Sequence, residues 1–283
     1  LYSELARINP AEILLPKSFF DEHLEKYHHT IKEDWYFAPT RTQETLEHIF
    51  KVSTLDGFGL KNKTSAISAA GAILQYLEET DIQSLSSLKK IRFYYTQDTM
   101  ILDPETRRNL ELTETIRNGQ EEGSLLSVID YTVNPLGKRL LRNWLNKPLI
   151  DPKKIRERLD YVDFFIKDGL LRRELQNNLK KISDLERISF RIVSGHALPR
   201  DLVALRNSLE LIPKILSLLE KKQETLRDLT QRIHPTADIL LLLKTALADD
   251  PPNTLQNTGI IKKGYSHELD EIYTSSHDAQ QWI

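Results

Sequence analysis

Cysteine is absent from the 283 residues, which excludes disulfides and thiolate metal sites and suits a reducing compartment. Methionine occurs once, at Met100, and the chain begins at Leu1, so it reads as a piece of a longer protein. No apolar run approaches the roughly 18 residues needed to cross a bilayer, and no basic segment followed by an apolar core opens the chain. A phosphate-cradling Gly-Lys-Ser/Thr loop is missing too. Gly59-Leu60-Lys61-Asn62-Lys63-Thr64 comes nearest but has no glycine before its Lys-Thr pair, and Gly137-Lys138-Arg139 fails likewise. Neither sign of charge is in large excess. The net value is -2, low for a dedicated nucleic-acid-binding domain.

The charge is nevertheless uneven. Between Tyr131 and Lys181 there are 13 Lys or Arg against 6 Asp or Glu, a basic stripe that suits phosphate contact. The competing reading is a solvated face of amphipathic helices.

The first 80 or so residues mix types in the α/β style. Leu1 to Ile8 has helical spacing, Glu12 to Leu15 suits a buried strand, and Trp35-Tyr36-Phe37 suits a sheet edge or a loop anchor. Thr42 to Phe50 and Thr64 to Leu77 are helical in pattern, and Ala66, Ala69, Ala70, Gly71 and Ala72 suit close packing of a helix on a sheet. Ile91 to Tyr95 and Thr99 to Leu102 are β-rich runs around Gln97-Asp98, which predicts a hairpin or neighbouring strands.

Beyond Asp103 the spacing is helical almost to the end. Asp103 with Pro104, and Ser124, carry N-cap signals. Leu136, Leu140, Leu141 and Trp144 form one stripe, predicting a buried face. Ile155, Leu159, Val162, Phe165 and Ile166 form another. Asp184 opens the next helix, Pro199 to Leu219 reads as one long helix, and Thr236 to Ala248 ends at Asp249-Asp250-Pro251-Pro252. The pattern from Ser266 to Trp282 is still helical where the sequence stops.

Few residues suggest chemistry. His23, His28 and His29, with Glu22 and Glu25 nearby, are the only cluster suited to a transition metal, and surface histidines are the simpler reading. Asp184 and Glu186, two apart on a helix, point in different directions; capping by Asp184 and polar cross-links through Glu186 or Arg187 fit better than a shared acid site. Arg107, Arg108, Arg139 and Arg142 suit either interhelix pairing or phosphate contact.

The run SLLSVIDYTVNPLGKRLLRNWLNKPL (Ser124 to Leu149), with DLERISFRI (Asp184 to Ile192), PRDLVALRNSL (Pro199 to Leu209), DPETRRNLEL (Asp103 to Leu112) and GYSHELDEI (Gly264 to Ile272), resembles the lever, or core, domain of the MutS family of DNA mismatch-repair proteins. INPAEIL and GFG with AAGAILQYL resemble that family's connector domain. The resemblance implies a mainly α fold: a helical lever over residues 86–283, truncated before the clamp, preceded by a partial α/β, RNase H-like connector segment over residues 1–85. Phe20-Asp21-Glu22 spells the family's mismatch-reading Phe-x-Glu but falls in connector territory.

What the resemblance implies for function is a scaffold that transmits between DNA engagement and an ATPase lying outside this chain, with no catalytic, cofactor or metal residues here. ATP and Mg belong to the full-length protein. The implied partners are duplex DNA, a MutL-type protein at the connector, and a second copy of the full-length protein; no membrane is implied, and the setting is cytoplasmic, in action at the nucleoid. The absence of cysteine and the short loops point to a bacterial source. The alternative is an autonomous, non-specific duplex-DNA-binding module using the stripe 131–181, with Lys138, Arg139 and Arg142 as candidate backbone contacts.

Overall fold

The structure is a computed structural model describing residues 1–283 except 20, 86–87, 89–90, 92, 94–98, 221–225 and 282–283. Helices dominate, and the described strands form a two-stranded parallel sheet. The chain is therefore mainly α with a small α/β segment near its start, as expected. It divides into two compact units, Leu1–Asp130 with Leu141–Pro152, and Tyr131–Leu140 with Lys153–Ile283.

In the first unit, α1 (Tyr2–Ile8) ends where Asn9 turns left-handed at φ 46°. Strand β1 (Ile13–Pro16) pairs in parallel with β2 (His29–Lys32), Ile13 opposite His29 and Pro16 opposite Lys32. β1 is half-buried, not buried as its apolar run predicts, because two short strands cover little of either sheet face. Of the two readings of Trp35-Tyr36-Phe37, the anchor fits: they form a 3-10 turn (Asp34–Phe37) that buries Tyr36 and leaves Trp35 exposed.

Pro39 at the first helical position starts α2 (Pro39–Phe50). It packs against α3 (Thr64–Thr80), and Leu46, Leu55, Leu60, Ile67 and Leu74 form the core, flanked by Phe50 and Phe58. Of the small residues of α3, Gly71 meets α2 and Ala66 and Ala70 pack on this core. A Cβ at Gly71 would lie 2.5 Å from the Thr42 carbonyl oxygen and 2.7 Å from its Cα.

After α4 (Ile82–Leu85), much of the run Ile91 to Tyr95, and Gln97-Asp98, lie outside the described residues. Thr99 to Leu102 form no strand. Thr99 makes an antiparallel bridge to Leu149, and the Met100 N–H donates to Pro148 O at 2.8 Å; proline has no N–H with which to extend such a ladder. The capping signals hold. Asp103 accepts from Thr106 N–H at 2.8 Å to start α5 (Pro104–Asn109), and Ser124 from Ser127 N–H at 3.3 Å to start α6 (Leu125–Ile129). The division between the units falls inside α7 (Pro135–Asn146).

The second unit adds α8 (Pro152–Lys167), α9 (Gly169–Leu179), α10 (Leu185–Val193), α11 (Pro199–Glu220), α12 (Arg227–Thr230), α13 (Ala237–Ala246) and α14 (His267–Gln281). Its core is Leu171, Leu175, Ile182, Ile215, Leu219 and Leu226. The predicted stripe of α8 is mostly turned outward: Leu159 is 58% exposed and Ile166 63%, with Ile155 and Val162 also exposed. Tyr161 and the edge-on pair Phe164 and Phe165, centroids 5.4 Å apart, take the inner face, since large rings bury more apolar surface than the aliphatic side chains they displace. On α7 the predicted buried face holds for Leu136, which packs against this core, and in part for half-buried Leu141; Leu140 and Trp144 are exposed. Pro213 lies inside α11, with no N–H to offer Leu209 O.

Candidate functional site

The polar groups of the second unit converge on a series of arginine clasps. Asp184 precedes α10 and accepts the Arg187 N–H at 3.1 Å, closing the first turn. Its carboxylate also receives both terminal nitrogens of Arg139 from α7, each at 2.7 Å, while Arg139 Nε donates to Glu186 Oε2 at 2.9 Å. This two-pronged fork is the strong geometry for a guanidinium and a carboxylate. Arg139 is driven further above its ordinary range by Asp184 and then Glu186. Reciprocally, Arg139 pulls Asp184 down to about 2.

At the far end of α10, Arg191 Nη1 donates to Asp201 Oδ1 at 2.7 Å, and Asp201 Oδ2 accepts the Leu198 N–H at 3.0 Å at the start of α11. Burial raises the Asp201 carboxyl, yet the Leu198 N–H and Arg191 outweigh it and hold the group below the usual range. On α11, buried Arg206 donates from Nη1 to Leu247 O and Ala248 O, each at 3.3 Å, and from Nη2 to Asp249 O at 3.4 Å. The segment it grips is itself paired, Leu247 bridging Ile261 and the Ala248 N–H donating to Ile260 O at 2.9 Å. The clasps join α7 to α10, α10 to α11, and α11 to the segment after α13.

A pH dependence follows from the first clasp. Asp184 stays ionised in the folded chain to about pH 2, whereas a free aspartate protonates near 3.9. The clasp's stabilisation is therefore whole above about pH 4 and lost as pH falls toward 2. Arg139 is 45% exposed, so solvent screening keeps the effect small. Urea unfolding at pH 6 and pH 3 should show the parent chain losing more stability than Asp184→Asn; equal losses overturn the assignment.

The candidate backbone contacts have different settings. Lys138 is exposed on α7. Three donor groups of Arg139 are already engaged by carboxylates. Arg142, counted with the first unit, donates to Glu121 there. Arg107, on α5, donates to Asn146 Oδ1 and Asn146 O, each at 2.7 Å, and to Leu102 O at 3.3 Å, a cross-link through neutral acceptors. His23 lies 3.2 Å from Asp21 and His29 Nδ1 2.9 Å from Tyr27 O; among the described residues no group of three or more His, Asp or Glu is placed to hold a metal. Among the described residues no helix is long and apolar enough to cross a membrane. Arg191, Asp201 and Arg206 were not singled out from the sequence. The signal for Asp201 and Arg206 is charge set among the leucines of PRDLVALRNSL; Arg191 sits in DLERISFRI among apolar residues.

Fold and site together define a mainly helical chain in which several arginines clasp carboxylates or carbonyls of neighbouring elements. Residues 105–281 match the model of MutS domain III, and residues 1–91 that of MutS domain II. The whole chain aligns at 39% identity with the DNA mismatch repair protein MutS of Alkaliphilus metalliredigens, covering 32% of that protein, and at 38% with those of Halothermothrix orenii and Methanosarcina acetivorans, covering 32% and 33%. The chain belongs to the MutS family. It spans about a third of the length of the relatives it matches.

Proposed function

We propose that this chain is the scaffold and transmission segment of a MutS-type DNA mismatch-repair protein, linking mismatch and DNA engagement to an ATPase that lies outside it. Residues 1–85 serve as the later part of the connector and 86–283 as the first half of the lever. The observation that carries the reading is the series of arginine clasps. Packed helices and ion-pair networks are among the physical carriers of coupling across a molecule, and α11 alone, at 22 residues, spans about 33 Å. Duplex DNA, a MutL-type protein at residues 1–85 and a second copy are partners of the whole protein in this reading, and ATP with Mg is held outside this chain.

The charge excess between Tyr131 and Lys181 supports a second reading, a module that grips duplex phosphates itself. Fluorescence anisotropy of matched and mismatched duplexes across a salt series separates the two. The scaffold reading expects dissociation constants weaker than about 0.1 mM even at low salt, the edge of ordinary non-specific binding. Tight, salt-steep binding, equal for both duplexes, favours the module. ATP hydrolysis by this chain above a buffer blank overturns the scaffold reading.

A further inference from the structure

The first unit holds a cleft of about 650 Å³ between the end of α1, α5, the loop after α5 and the last turn of α7; Arg7, Arg107, Arg108 and Arg142 line it, against a single carboxylate, Glu114. Its volume falls in the range of small-molecule sites, about 300–1,000 Å³. The four guanidinium groups are not equally compensated. Arg7 pairs with Glu4 at 2.7 Å, and Arg142 with Glu121. Arg107 is half-buried, and its acceptors are the neutral oxygens of Leu102 and Asn146. Arg108 is exposed and makes no ion pair with a described residue.

A guanidinium stays charged in any protein setting, so desolvation of Arg107 beside Arg7 is a cost that no carboxylate in direct contact offsets. Burial first and Arg7 second hold Arg107 below its ordinary value, with Glu4 offsetting part of the effect. Three of the five Arg107 donors are used, which leaves two for a ligand. As consecutive residues of α5, Arg107 and Arg108 leave the helix in directions about 100° apart. Both nevertheless line the cleft, one at its wall and one exposed. Two donor groups on different bearings fit an anion with more than one oxygen-bearing centre, and guanidinium is the side chain suited to phosphate oxygens.

We propose that this cleft binds a small phosphate-bearing anion of the diphosphate class, held by Arg107 and Arg108. The site is separate from the clasps of the second unit and does not depend on the scaffold reading. Arg7 and Arg142 stay neutralised by Glu4 and Glu121, and Asn146 orients Arg107.

The test is a titration of the chain with inorganic pyrophosphate at constant ionic strength, followed by the side-chain NMR signals of the arginine Nε–H groups and the asparagine amides. Saturable shifts are expected at Arg107, Arg108 and Asn146, with binding weakened about tenfold in Arg108→Gln, a variant that removes no ion pair with a described residue. Arg232→Gln, an exposed change in the second unit, should bind as the parent does. Arg107→Lys, which keeps the charge but loses the fork, should also bind more weakly. Linear shifts spread over both units, or unchanged affinity in Arg108→Gln, overturn the proposal. A short duplex that displaces bound pyrophosphate makes nucleic-acid backbone the source of the phosphate; a duplex that leaves it bound makes a free phosphate compound the source. Either result supports the cleft.

Discussion

Gly71→Ala is expected to destabilise the first unit by about 2–4 kcal/mol, the upper range for forcing atoms into a filled contact. Alanine normally favours a helix interior over glycine by about 1 kcal/mol, so the intrinsic effect runs the other way and the contact must outweigh it. It does, because two of the atoms a new Cβ would meet, the Thr42 carbonyl oxygen and Cα, are backbone. Neither can swing aside as a flexible side chain would, so α2 and α3 must separate. Thr42 is fully buried, and its hydroxyl donates to Ala38 O and Pro39 O, each at 3.0 Å, so moving it also disturbs the start of α2. Urea midpoints followed by circular dichroism test this. Adding Thr42→Ser should not restore stability, since it leaves the clashing backbone in place. A stabilised Gly71→Ala chain would mean the two helices are farther apart than described.

Arg206→Met should cost the second unit about 3 kcal/mol, because it strips a donor from the carbonyls of Leu247, Ala248 and Asp249 while keeping the apolar stem. The bonds are individually long, at 3.3–3.4 Å, and Asp249 is largely open to solvent, so the figure is set mainly by the buried Leu247 acceptor. Arg206→Lys distinguishes geometry from charge. An ammonium is a compact point and a guanidinium a planar fork, so lysine should recover less than about half of the loss. Full recovery by lysine would make the clasp a matter of charge alone.

What the sequence reveals and what it hides divide along the range of the interactions. The caps at Asp103, Ser124 and Asp184 were legible because each acts three residues ahead, and the span of α11 was legible from its leucine period. The face of α8 was not. Ile155, Leu159, Val162 and Ile166 make a good apolar stripe, but Tyr161 and Phe164 compete for the same core and win it, a choice settled only by what stands opposite. The same holds for Thr99 to Leu102, whose strand-like composition meets Pro148 across the gap. The pairing of Arg139 with Asp184 and Glu186 was one of two readings of those charges; the grip of Arg206 spans 41 to 43 residues and left no local trace. The family resemblance, by contrast, was carried by runs that extend through both matched domains.

Pro213 gives α11 an uneven stiffness. Ahead of it, Asp201 and Arg206 are held by the clasps; beyond it, Ile215, Leu216 and Leu219 are buried, Ile215 and Leu219 in the core cluster. The missing hydrogen bond to Leu209 O falls between grip and anchor, and a helix yields most readily where its ladder lacks a rung. A sideways push at the clasped end is therefore taken up as bending over one turn, while a push along the axis meets the remaining bonds and passes into the core. Within the proposed transmission role, the helix would be a mechanical filter, passing thrust and absorbing tilt.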